Sequence, residues 1–403
     1  MPSPHQTAVR IFLRSGFVWQ LCWSSYWTLF FLRVVVDVGL DPLQLLLLGT
    51  TKEITILVSE IPTGVVADIK SRRLSVIIAF VVCGTAAVGA GLAGGFAALV
   101  ATQVVWALGT TFRSGAETAW FTDEVGSLEK VDEVLPRRAR MQSIGSVVGL
   151  LGTALVAAVA GLTAALVTVG AILMVFGIHL IMVMPETGFE RHEMSPGARF
   201  RQLLGDGLAA SRRPGLRILL IAGVTAGFAS EAVDRLSVAR LDQIGLQAQA
   251  VDPALIMGST AVAQSLGAAA IVSVAAGAMA GRRFVTALSW LHVVTAAGVA
   301  VLARADLVGL ALGGILAAGM TRELARTVTI GWTNHFTDRR NRATVHSFVG
   351  QAGSLGEISG GVVLGFVARE VGIAEALTAS AAIYLVCAGV AALGRTRWDR
   401  PTP

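Results

Sequence analysis

Long apolar runs separated by short polar joints dominate the chain. They fall at about 11–37, 43–66, 74–94, 97–121, 139–160, 163–184, 215–238, 253–280, 284–303, 307–332, 343–367 and 373–394. Each is close to the roughly 20 residues that carry a helix across the hydrocarbon core of a bilayer. Period-2 alternation is missing, which argues against a β-barrel. A backbone immersed in lipid must satisfy its own hydrogen bonds, so the runs predict helices. The expected fold class is an all-α membrane protein with twelve transmembrane helices.

Composition narrows the class further. Of 403 residues, 54% are hydrophobic and only 14% charged, against about 25% charged in an average soluble domain. So few charges cannot cover a soluble surface of this size, which excludes an ordinary cytosolic enzyme and a disordered chain. The net charge of +6 is spread in short basic clusters between apolar runs. No continuous basic domain forms, and no nucleic-acid partner is expected. Cys22, Cys83 and Cys387 all lie inside apolar runs, an odd and scattered set that gives neither a disulfide framework nor a metal-ligand spacing. No short apolar stretch with a small-residue cleavage site opens the chain, so no removable signal peptide is expected.

The basic residues orient the runs. With the N-terminus inside, 23 of the 32 Lys and Arg residues fall in cytoplasmic segments, about three in outer segments and six within spans. The positive-inside rule thus predicts twelve crossings with both termini cytoplasmic. The longest polar connection, 185–214, lies mid-chain. Around it the halves resemble each other: Arg138-Ala139 precedes Ser143, Gly149, Leu151 and Gly152, and Arg342-Ala343 precedes Ser347, Gly353, Leu355 and Gly356 at the same spacings, 204 positions on. A duplicated six-helix unit is expected, with bundles at 1–184 and 215–403 joined by a cytoplasmic loop at 185–214.

Ionisable side chains inside spans are costly, about 2.5–3.5 kcal/mol on insertion scales, and each is a functional candidate. Span one carries Arg33 and Asp37, span two Lys52, Glu53 and Glu60, span four Arg113 and Glu117. Span seven has Glu231, Asp234 and Arg235, span ten Arg322, Glu323 and Arg326, and span eleven Glu357. Arg113 and Glu117 are spaced to pair on one helical face, as are Glu231 and Asp234 or Arg235. Arg322 and Arg326 share a face and need a carboxylate or an anionic substrate nearby, while Glu323 points about 100° away. Glu357 has no local basic partner and is either a proton carrier or the cap of a backbone kink. Glu53 adjoins Lys52 and either carries a proton or pairs across helices. Arg33 and Asp37 read as an interfacial pair, and Asp123 and Glu124 as partners of loop arginines. His179 and His292 read as hydrogen-bonded core, and Trp19, Trp23 and Trp27 as a packing or stacking stripe on one face.

The most specific stretch runs from Glu60-Ile61-Pro62-Thr63-Gly64 through Ala67-Asp68-Ile69-Lys70-Ser71-Arg72-Arg73. It resembles the signature loop of the major facilitator superfamily at Gly64, Asp68, Lys70, Arg72 and Arg73, with Ile69 at the first basic position and Ser71 in place of a frequent Gly. The second-half counterpart is degenerate: Gly277, Gly281, Arg282 and Arg283 remain, without an Asp. Gly64 is expected at a close helix approach, and Asp68 to pair with an arginine. The resemblance implies two pseudo-symmetric six-helix bundles that rock about a midplane cavity lined by spans one, four, seven and ten, with this loop as a latch. Ten of the fourteen charges within spans lie in those four. Ser114-Gly115-Ala116 before Ala119-Trp120, with the Glu-Ile-Pro-Thr-Gly segment, looks most like bacterial drug-efflux permeases. Span five lacks the Gly-Pro pair common in proton antiporters.

No phosphate-binding loop or catalytic spacing is present, so no enzyme activity and no cofactor are expected. The expected function is secondary active transport by alternating access: proton-coupled export of a small amphipathic or drug-like compound, or proton-coupled import of a small, anionic metabolite. A non-transporting sensor or scaffold is the reading from another class. The implied partners are a small-molecule substrate, H+ and the lipid bilayer, with the protein as a monomer in a plasma membrane, specifically a bacterial inner membrane.

Overall fold

The computed structural model describes residues 4–189, 214–275, 284–335 and 342–398, together with Gly205. Most of the central loop, with Arg191, Arg199 and Arg201, lies outside the described residues, as do Gly277, Gly281, Arg282 and Arg283 of the degenerate loop.

The described residues form helices α1 (Pro4–Val36), α2 (Pro42–Ile69), α3 (Arg72–Leu92), α4 (Phe96–Arg113), α5 (Ala116–Val125) and α6 (Leu128–Val183). They continue with α7 (Pro214–Gln243), a 3-10 turn at Leu246–Ala248, α8 (Pro253–Ala275), α9 (Phe284–Arg304), α10 (Val308–His335), α11 (Arg342–Glu370) and α12 (Ile373–Trp398). No strand occurs among the described residues. Among the described residues, eight helical segments are long and apolar enough to cross a membrane, counting α4 with α5 as one and the whole of α6 as one. Helices α1, α2 and α11 fall short of that standard. Helix α1 is diluted by Trp and Ser, α2 by Lys52, Glu53 and Glu60, and α11 by Gly, Ser and Glu357. An all-helical membrane protein is what the structure shows.

Glycine sets the breaks. The predicted fourth span is two helices, because Ser114 leaves the helical region and Gly115 sits at φ 75°. Helix α6 runs 56 residues with a single break at Gly161, at φ 87° and ψ 163°. Only glycine takes that conformation without strain. The chain reverses there. Gly145 and Gly149 run beside Phe17 and Leu21 of α1 in the same sense. Helix α3 also runs with α1, since Phe80 stacks edge-on to Trp19 and Ala90 accepts from Arg33. Beyond the break, Gly170 and Gly177 lie against Gly84 and Phe80 of α3 in the opposite sense.

The described residues pack into two compact units, one of 1–39, 54–196 and 250–262, the other of 40–53, 197–249 and 263–403. Helix α2 is divided between them at Glu53. Its first half belongs to the second unit because α11 offers bare backbone there. Positions around Gly361 and Gly365 are filled by Thr50, Leu43 and Leu46.

One of the glycine-mediated helix contacts recurs in both units. Gly145 and Gly149 of α6 press on the backbone at Phe17 and Leu21 of α1, and Gly356 and Gly360 of α11 press likewise on Val224 and Phe228 of α7. The two contacts correspond at every position, and Gly145 to Gly356 is 211 positions. The motif-based offset of 204 is therefore out of register by seven residues, two helical turns. It matches packed Gly149 with open Gly353, and open Gly152 with packed Gly356. Small residues recur every three or four positions on any tightly packed helix, so a shift by whole turns keeps the pattern and loses the contact.

Candidate functional site

Nine of the fourteen charges predicted within spans gather in two sets, each built round a buried glutamate, Glu117 or Glu231. The first, in the first unit, centres on Glu117, which is 3% exposed. The break at Gly115 starts α5 just before it and turns its carboxylate inward. There it pairs with Arg113, accepts from Ser15 and takes a 2.6 Å hydrogen bond from Arg138 Nη2. The local Arg113–Glu117 pair forms as expected, although two helices rather than one carry it. Arg138 is a correction. It reads as a loop cation in the sequence, yet α6 begins at Leu128, runs through Pro136 and leaves Arg138 only 7% exposed. Its guanidinium lies 3.7 Å from the Phe12 ring centroid and donates to Phe12 O at 3.1 Å. Arg113 lies 4.2 Å over Trp19. Two aromatic faces thus share the charge of two arginines that meet one carboxylate. The tryptophan stripe is packing: Trp23 and Trp27 lie against Trp106, which itself stacks on Tyr26.

The second set lies in the second unit. Glu231 is fully buried and accepts at Oε1 from Arg235 Nε at 2.9 Å, the i,i+4 pairing of the two alternatives. Gly49 of α2 makes room for this pair, since a Cβ there would stand 3.0 Å from Arg235 Cζ. Asp234, one step round α7, instead holds Arg322 of α10 through two parallel hydrogen bonds of 2.6 Å. That carboxylate answers the like-charge problem of Arg322 and Arg326. Lys52 pairs with the adjacent Glu53, which also accepts from Ser354 at 2.9 Å. Glu357, one turn beyond Ser354, comes within hydrogen-bonding reach of Glu53. No kink interrupts α11 at Glu357, so it caps none. Two buried oxygens in this region have no hydrogen-bond partner, Glu231 Oε2 and Thr50 Oγ1.

A cavity of about 350 Å³ opens in the second unit against Arg322, Arg326, His292, Tyr384 and Glu357. One face of α10 lines it from Arg322 to Thr333, twelve residues or about 16 Å of helix. Glu323 is exposed and off that face, as its 100° offset predicts. His292 departs from its expected role: it is 5% exposed, and its Nδ1 has no hydrogen-bond partner.

The signature-like loop closes within the first unit. Ser71 caps α3, accepting from Leu74 N at 2.8 Å. Arg72 pairs with Asp123 and, at 3.6 Å, with Asp68. Glu186 accepts from Ser71 Oγ at 2.7 Å and from Arg73 N at 3.0 Å, adding a carboxylate at the first turn of α3. Lys70 is exposed. Two readings are corrected. Gly64 has open space where a Cβ would stand, so no helix of its own unit approaches closely there. Glu124 holds no arginine and accepts instead from Thr187 N and Gly188 N. Arg33 is 7% exposed and, rather than pairing at an interface, donates to Ala90 O at 2.9 Å in the last turn of α3.

No protein-family model matches the chain, and no curated protein matches it. Solved structures do. A nucleoside transporter, NupG, is 14% identical with a TM-score of 0.70, covering 97% of this chain and 98% of its own. A bacterial homologue of the human lysosomal transporter Spinster, in an inward-facing and unoccupied conformation, is 13% identical with a TM-score of 0.76 over the whole of both chains. A POT family transporter solved with 5-aminolevulinic acid is 10% identical with a TM-score of 0.76, covering 97% of this chain and 96% of that one. The chain therefore shares the helical fold of these solved transporters.

Proposed function

We propose that the protein is a proton-coupled secondary transporter working by alternating access. One observation carries the coupling. In an apolar unit, three carboxylates (Glu53, Glu231 and Glu357) face two cations (Lys52 and Arg235), while Asp234 and Arg322 neutralise each other. Buried charge is tolerated when paired and is destabilising when one partner is missing. A set with one acid in excess is balanced by taking up one proton, and Glu357 beside Glu53 is where two carboxyl groups can share it. Proton uptake then biases which arrangement of the helices is stable.

The same reading takes twelve crossings in two six-helix bundles, 1–184 and 215–403, joined by the cytoplasmic loop 185–214. Both termini are cytoplasmic, in the plasma membrane of a bacterium. Gly64, Asp68, Lys70, Arg72 and Arg73 form the latch, and Arg113 with Glu117 lines the transport path. For the cargo, the loop resemblance supports export of an amphipathic or drug-like compound. Arg326 in the wall of the cavity favours the second reading, proton-coupled import of a small anionic metabolite. In proteoliposomes a pH jump is expected to drive substrate across the membrane against its gradient. A non-transporting sensor or scaffold would give no flux under the same jump, and that result would defeat the proposal.

A further inference from the structure

The cavity of the second unit has a polar lining that the protein itself leaves incomplete. Arg322 is fully engaged by Asp234. Arg326, one turn further along the same face, has no ion-pair partner among the described residues. His292 is buried with Nδ1 unpartnered, and its ring lies 6.0 Å from that of Tyr384. Helices α9 and α10 run antiparallel, with Thr295 hydrogen-bonded to Thr321 at 2.7 Å and Gly298 against Gly314. Three residues back from Thr295 and five on from Thr321 place His292 and Arg326 within about 3 Å of one level along the pair. A buried polar group without a hydrogen-bond partner is costly to the fold. A water satisfies an imidazole nitrogen but does not neutralise a guanidinium, whereas an acidic group does both.

We infer that this cavity is a subsite for the acidic group of a small molecule, a carboxylate or a phosphate, held by Arg326 and hydrogen-bonded by His292 and Tyr384. The inference rests on the transporter reading for its meaning, because the acid becomes the handle of the cargo. A planar guanidinium grips such a group through two parallel hydrogen bonds. The volume, about 350 Å³, is at the lower end for ligand cavities. Glu357 also lines the cavity, and the proton that the transport reading assigns to it leaves Arg326 to face the acid without a competing anion; the threonines and glycines beside them, such as Thr329, Gly223 and Gly350, suit a compact body without a second charge.

The test compares 2-naphthoate, phenyl phosphate and the neutral 2-naphthamide by calorimetric titration of the detergent-purified full chain. The expected result is at least tenfold tighter binding of an acid than of the amide. Arg326→Gln should remove that preference, and Arg326→Lys should retain most of it. Arg326 is exposed to the cavity, so neither substitution disturbs the packed core. His292→Phe should weaken the acid several-fold while Arg326 still discriminates acid from amide. Equal binding of acid and amide, or a preference that survives Arg326→Gln, would overturn the inference. Flux through proteoliposomes separates the two claims. Acid binding without flux leaves the subsite standing and removes the transporter reading. Flux of cationic dyes with no acid preference removes the subsite and leaves transport intact.

Discussion

Arg138 donates from Nη2 to Glu117 Oε2 at 2.6 Å, 21 residues back along the chain. That one contact joins the start of α6 to the first turn of α5, and with Arg113 and Ser15 it encloses a carboxylate in the apolar interior of the first unit.

Replacing Glu117 by Gln should therefore be severe. Arg113 and Arg138 would face each other with no anion between them, and an uncompensated buried charge costs about 3–5 kcal/mol. A large fall in the thermal unfolding midpoint of the detergent-solubilised protein is expected. Arg138→Met combined with Glu117→Gln should recover part of it, since only one arginine then lacks a partner. A double-mutant cycle on those two positions measures the coupling.

Gly149 and Gly152 offer a paired comparison on one helix. A Cβ on Gly149 would run into Leu21 O of α1, whereas Gly152 has open space. Gly149→Ala should cost about 1–3 kcal/mol by forcing the helices apart. Gly152→Ala should be neutral or stabilise by up to about 1 kcal/mol through helix propensity. Unfolding midpoints of the two variants side by side decide it.

Gly49→Ala tests the second buried set without touching a charge. The new methyl group would meet Arg235 and Glu231. Displacing that ion pair should lower stability and reduce proton-driven flux together. Flux at the wild-type rate in a fully folded variant would mean that the pair plays no part in coupling.

Glu357→Gln keeps the shape of the side chain and removes its ability to take up and release a proton. Binding of substrate should persist and the response of flux to a pH jump should vanish. A pH response of unchanged size would withdraw Glu357 from the coupling role.

The loop is tested by rate rather than affinity. Asp68→Asn should slow exchange across the membrane and leave equilibrium binding within about twofold, and a normal rate would defeat the latch. Ser71→Ala should instead act on stability, losing the α3 cap for about 1 kcal/mol.

Local relationships were the legible part of this chain. Arg113 with Glu117 and Glu231 with Arg235 lie four residues apart, and helical geometry alone brings them together even across the break at Gly115. Asp234 and Arg322 are 88 residues apart. Sequence could say that the arginine needs an acid, not which one. Arg138 escaped because Pro136 and the surrounding charges look like a loop, and its burial follows from a helix that starts ten residues earlier. Glu186 and Glu124 escaped because a carboxylate that binds backbone N–H groups has no spacing signature. His292 was misjudged because an apolar neighbourhood on one helix says nothing about the cavity that other helices leave beside it.

A straight helix of 56 residues would measure about 84 Å, nearly three times the roughly 30 Å of a hydrocarbon core. One missing side chain at Gly161 converts that impossible rod into an out-and-back excursion. The stretch beyond the bend owes to it the return path along α3. A bulky residue there would threaten more than local strain, because it would set that whole returning stretch against the wrong neighbour.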